Sequence, residues 1–223
     1  MKSTSGGDRA GTARPFPWKR IVSQPAVWML SAMYFCYAYN ISVFLTWFPK
    51  YLSDARGFSL TKMGFYASLP LLAGVAGDIL GGWVSDVWAA RSGKLVYARR
   101  VVAVVGFAVS AVMIPMAALA TDPVRSVIDF CVALFALELT VGVSWAIPLD
   151  IGGEYAGSVS AVMNTSGNIG GAIASALSAY LVAIYGWHAP FFVVAGLSFV
   201  AALLFLEIDA SRKLELSTAG GAT

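Results

Sequence analysis

Apolar residues cluster in six stretches, each near the length of a bilayer-crossing helix: 26–48, 63–84, 101–120, 127–149, 158–184 and 190–206. Short connections separate them, marked by turn residues or charges such as Pro49 and Lys50, Asp86 to Arg100, and Gly186 to Pro190. About 20 apolar residues in a helix cover the ~30 Å of bilayer hydrocarbon. Backbone polar groups cannot stay unpaired in lipid, so each stretch is expected to be helical. A membrane barrel would show short alternating segments instead. The pattern therefore predicts an all-α membrane protein with six transmembrane helices. Its expected organisation is a polar tail over 1–22, a six-helix domain over 23–209 and a second tail over 210–223. Trp47, Trp83, Trp88, Tyr185 and Trp187 fall near the expected helix ends, where amphipathic rings favour the membrane interface.

Composition agrees. The chain is 58% hydrophobic and 12% charged, against about 25% charged residues in a soluble domain. The first twenty residues are polar and basic and lack the short apolar core of a secretory signal. Cys36 and Cys131 both sit in apolar runs and read as packing residues. The single histidine, His188, leaves no His-rich metal site, and no cofactor is expected. The net charge of +3 is too small and scattered to suggest nucleic acid.

Charge also gives an orientation. An even number of crossings puts both termini on one side. That side would carry Lys2, Arg9, Arg14, Lys19, Arg20, Arg91, Lys94, Arg99, Arg100, Arg212 and Lys213. The opposite side would carry Lys50, Arg56, Lys62 and Arg125. The positive-inside rule then places both termini in the cytoplasm of a cell (inner) membrane.

Polar residues inside the spans are the candidate chemistry. Asn164, Asn168 and Gly171 share a helical face, and Gly167 and Gly171 form a small-xxx-small pattern that permits close helix packing. Each asparagine amide either meets a substrate or bonds a neighbouring helix. Tyr37, Asn40, Phe44 and Trp47 follow a helical spacing, with Tyr37 and Asn40 able to donate to polyhydroxy acids. Thr140, Ser144, Trp145 and Pro148 lie close together, and Pro148 can kink its helix. Intramembrane carboxylates are functional hypotheses by default. Glu138 is a proton-coupling candidate, while Asp78 beside Gly77 and Gly81 reads as a helix contact. No nucleotide-binding loop and no nucleophile or metal constellation is present, so no enzyme is expected.

One motif stands out: Gly81-Gly82-Trp83-Val84-Ser85-Asp86, followed by Arg91, Lys94, Arg99 and Arg100. Gly82-x-x-x-Asp86 with downstream basic residues resembles the loop signature of the major facilitator superfamily. Val87 stands where that family usually has a basic residue, which shifts the expected partner of Asp86 to Arg91. Tyr34-Phe35-Cys36, the run Leu45 to Leu52, Asp150 to Gly157 and Met163 to Gly171 are similar to the anion:cation symporter family within it. So is Gly186-Trp187 with Pro190-Phe191.

The resemblance implies the C-terminal six-helix half of that fold, built from two three-helix inverted repeats. It implies a proton-coupled symporter for small organic anions, with sugar acids or other carboxylates as substrates and rocking-type alternating access as mechanism. Gly82, Asp86, Arg91 and Lys94 would then form a gate loop. A substrate site of this kind lies between the halves near the midplane, so an N-terminal half or a second copy is needed. Three arrangements remain open: a paired half, a homodimer, and a non-transporting fragment or membrane interaction protein.

Overall fold

The computed structural model describes residues Trp18 to Ile208. Its helices are α1 (Trp18–Val22), α2 (Pro25–Thr46), α3 (Phe48–Asp54), α4 (Leu60–Ser92), α5 (Leu95–Leu119), α6 (Pro123–Gly152), α7 (Ala156–Tyr185) and α8 (His188–Glu207). A one-turn 3-10 segment, Gly153–Tyr155, separates α6 from α7. The long apolar helices are α2, α4, α5, α8 and the 63-residue run Pro123–Tyr185, which α6 and α7 divide into two passes. The chain thus crosses the membrane six times, as the hydropathy pattern predicts. Most of the two tails lies outside the described residues.

Apart from α2, the long helices outrun the apolar stretches. At 1.5 Å per residue, the 33 residues of α4 extend about 50 Å, well past the hydrocarbon. Asp86 and Arg91, expected in a loop, therefore lie on the last turns of α4. Nothing between Val84 and Ser92 breaks a helix. The break comes at Gly93, which caps α4 in the left-handed region at φ +67°. At the other end of the bundle, Pro49 sits in the first turn of α3, just after α2 stops. Its ring and missing donor favour a break there.

Packing pairs the helices in a repeating way. The inner contacts are α4 on α6 and α2 on α7, and both pairs are parallel. The outer contacts are α5 on α6 and α8 on α2, closed by α5 on α8. Exchanging α2, α4, α5 for α6, α7, α8 maps this scheme onto itself. Because the chain alternates direction, the two three-helix units run in opposite senses, as inverted repeats do.

Each inner pair is fastened by glycine. On α4, Gly77 and Gly81 press on the backbone carbonyls of Phe135 and Leu139 in α6. On α7, a Cβ added at Gly170 would lie 2.5 Å from the Phe35 carbonyl oxygen of α2. Small residues allow this approach, and tight van der Waals packing replaces the hydrophobic driving force that lipid removes.

At the end where α2 finishes, aromatic rings lock α2, α3, α6 and α8 together. Phe130 lies 4.9 Å from both Phe48 and Phe191, and Phe191 lies 4.9 Å from Tyr51. Arg56 donates to the Tyr51 hydroxyl at 2.6 Å and to the Ala118 carbonyl at 3.0 Å, which caps the C-terminus of α5.

Candidate functional site

A pocket of about 450 Å³ lies along the α2–α7 seam. The glycines that let these helices approach also keep this wall free of bulk. Hydrogen-bonding side chains enter it from both helices: Tyr34, Tyr37 and Ser42 from α2, Asn164 and Asn168 from α7. Among its lining residues there is no Lys or Arg. Asn168 donates to the Asn164 backbone carbonyl at 3.0 Å, and both asparagines are exposed. They belong to a helix face that α2 does not cover.

A second polar group adjoins the pocket. The Tyr37 hydroxyl donates to the Glu138 carboxylate, at 3.0 and 3.1 Å from its two oxygens. Glu138 is half-buried on α6, with its stem against Gly74 of α4. The Trp145 indole donates to the Tyr34 hydroxyl at 3.1 Å, and the two rings meet edge to face. Tyr34 and Tyr37 are one turn apart on α2, with ring centroids at 5.4 Å. Two α2 tyrosines thus reach across to α6, although α2 and α6 share little other contact.

The expected site residues separate into groups. Tyr37, Asn164 and Asn168 line the pocket, while Trp145 and Glu138 hold its tyrosines. Asn40 is fully buried, and its amide donates to Ser198 of α8 at 2.8 Å. Because α2 is flanked by α7 and α8, this residue falls on the α8 side. Ser144 is buried and donates to the Thr140 carbonyl at 2.6 Å. Tyr34 and Ser42 were missed as pocket residues. Tyr34 lies three residues before Tyr37, so the helical spacing could have shown it. The structure also corrects Asp78: Gly77 and Gly81 make the helix contact, and the Asp78 side chain is exposed. We expect Asn40→Ala to lower thermal stability by about 0.6–2 kcal/mol, the range for an interhelical hydrogen bond in a membrane. A thermal-shift measurement in detergent would check this.

The signature residues are arranged differently from the sequence reading. Gly82 lies against Gly142 at the α4–α6 crossing. Asp86 pairs with Arg99 rather than Arg91, at a long 4.0 Å. The other nitrogen of the Arg99 fork lies 3.0 Å from Asp150 at the end of α6. Arg99 joins α4, α5 and α6, and its side chain is 10% exposed against 73% for Asp86, so the short pair with Asp150 is the shielded one. Arg91 and Lys94 are exposed and make no ion pair with a described residue. The reason is direction. Arg91 lies five residues past Asp86, about 140° around the helix, whereas Arg99 points inward from the first turns of α5.

The fold and its seam pocket define a multi-pass membrane protein built as a six-helix inverted repeat. The family profile of the Major Facilitator Superfamily matches residues 2–175 and, in an overlapping second match, 152–222. The chain belongs to the Major Facilitator Superfamily. It is 38% identical, over 92% of its length, to a probable sulfoacetate transporter of Cupriavidus necator, covering 47% of that protein. It is 35% identical over 78% of its length to a hexuronate transporter of Bacillus subtilis, of which it covers 42%. A probable galactarate/D-glucarate transporter of the same organism is 36% identical over 72% of this chain, covering 35% of that relative. The chain spans less than half the length of these relatives, all of which are named as transporters rather than enzymes.

Proposed function

We propose that this chain is the C-terminal half of a symporter for small organic anions. The observation that carries the reading is the α2–α7 pocket, whose hydroxyls and amides open on a face its own helices leave uncovered. The relatives transport, by name, a sulfonated or sugar-derived acid. Tyr37, Asn164 and Asn168 would hydrogen-bond such a substrate, with Tyr34 and Trp145 as the aromatic wall. A complementary six-helix half would close the site and supply the positive charge this wall lacks. The two halves rock about the site in alternating access.

Glu138 is the proton carrier in this reading. It is an intramembrane acid next to the pocket, held by a pocket tyrosine. Arg99, bound to Asp86 and Asp150, joins three helix ends on the side that closes or opens as the halves rock. The excess of basic residues at that end makes it the cytoplasmic side.

The test is uptake into proteoliposomes carrying this chain with a complementary half, using labelled sulfonates and sugar acids under a pH gradient. Asn164→Ala is expected to raise the substrate KM at least tenfold, by loss of a polar contact in a dry site. Glu138→Gln is expected to abolish uptake driven by the gradient while substrate exchange persists. Absence of uptake across the panel would overturn the transport reading. Full gradient-driven uptake by Glu138→Gln would remove Glu138 from the coupling.

A further inference from the structure

Among the described residues, Arg91 and Lys94 are left without an ionic partner once Arg99 takes Asp86 and Asp150. Several other basic residues are committed elsewhere. Arg125 pairs with Asp129, Lys50 with Asp54, Arg56 caps α5, and Arg100 donates to the Ile208 carbonyl at the end of α8. Arg91 and Lys94 flank the tight α4–α5 turn at Gly93. Beneath them, Trp88 of α4 and Tyr97 of α5 pack edge to face, 5.6 Å apart and at 89°. Arg91 lies one turn beyond Trp88, and Lys94 one turn before Tyr97. Both cations therefore sit beyond the aromatic pair, farther from the membrane centre by roughly one helical turn of about 5 Å. Tyr97 is 55% exposed, and Trp83, deeper on α4, is 62% exposed. The aromatic area of Tyr97 thus faces outward at the same corner.

We propose that this corner is a binding site for the headgroup of an anionic phospholipid. The order of groups along the membrane normal is the order such a lipid presents. In this reading the Trp88–Tyr97 pair sits at the glycerol boundary and Arg91 and Lys94 at the phosphate. Amphipathic rings prefer that boundary, and unpaired basic side chains just beyond it attract anionic lipid. The arginine fork suits a phosphate oxygen pair, and the lysine adds a point charge. Bound lipid would brace the α4–α5 turn next to Arg99. The proposal does not depend on what the pocket carries.

Native mass spectrometry of the full chain, released from nanodiscs of mixed phosphatidylglycerol and phosphatidylcholine, tests it. The chain is expected to retain phosphatidylglycerol preferentially. The Arg91→Gln/Lys94→Gln double variant is expected to lose about thirty-fold in that preference, as removal of two basic side chains near an anionic surface predicts. Lys62→Gln, at the opposite end, is expected to leave it unchanged. The charge-preserving Arg91→Lys/Lys94→Arg variant keeps the signal even if the neutral variant misfolds. Equal retention by the folded neutral variant would overturn the proposal. So would loss of retention in the charge-preserving variant. Binding of inorganic phosphate alone, without phosphatidylglycerol preference, would overturn it too.

Discussion

Replacing Gly77 by leucine is expected to eliminate folded protein. A Cβ at this position falls on the Phe135 carbonyl, which is backbone and cannot rotate aside. The same holds for Gly81 against Leu139. Overpacking ordinarily costs about 1–3 kcal/mol, and more where nothing can yield. Here the cost is larger than the figure alone suggests. In lipid, two helices associate through close van der Waals contact and not by withdrawing apolar surface from water. Pushing α4 off α6 removes that contact along the whole seam. Gly82→Ala provides the contrast, because a Cβ there meets nothing within 4 Å. Fluorescence-detected size exclusion of a tagged protein would show the outcome. Gly77→Leu should lose the monodisperse peak, and Gly82→Ala should keep it. A sharp peak from Gly77→Leu would refute the glycine seam.

The contrast between neighbouring glycines shows where sequence reading reaches and where it stops. Six crossings were legible because twenty-residue apolar runs have few other solutions in water or lipid. The α2–α7 seam was legible in part, since Gly167 and Gly171 repeat at helical spacing on one face. Asn164 and Asn168 were legible for the same reason. Asn40 was not. Tyr37 and Asn40 are three residues apart, and local spacing puts them on one face. Only the position of α8 decides that Asn40 meets Ser198 while Tyr37 meets Glu138. The charge cluster failed similarly. The motif names Asp86 and a run of basic residues, but the choice of Arg99 over Arg91 depends on how α5 turns back after Gly93. Asp150, the closer partner, is far off in sequence and lay outside the expected cluster.

That cluster carries the second large effect. Arg99→Leu is expected to destabilise the protein by about 3–5 kcal/mol, the cost of removing one member of a shielded ion pair. Both sides of the short contact are sheltered, with side-chain exposures of 10% for Arg99 and 18% for Asp150. Asp86→Asn should barely register. Asp86 is 73% exposed and 4.0 Å away, and exposed pairs contribute little once solvent screens them. A sequence reading centred on the signature aspartate would predict the reverse order, since Asp86 is the residue the motif singles out. Thermal unfolding of the three proteins in one detergent decides between them. If Asp86→Asn were as damaging as Arg99→Leu, the Arg99–Asp150 contact would not be what holds the three helix ends. If the ranking runs as expected, Asp150→Leu should resemble Arg99→Leu. Combining those two changes should cost much less than their sum, because each alone already removes the short contact between the two side chains.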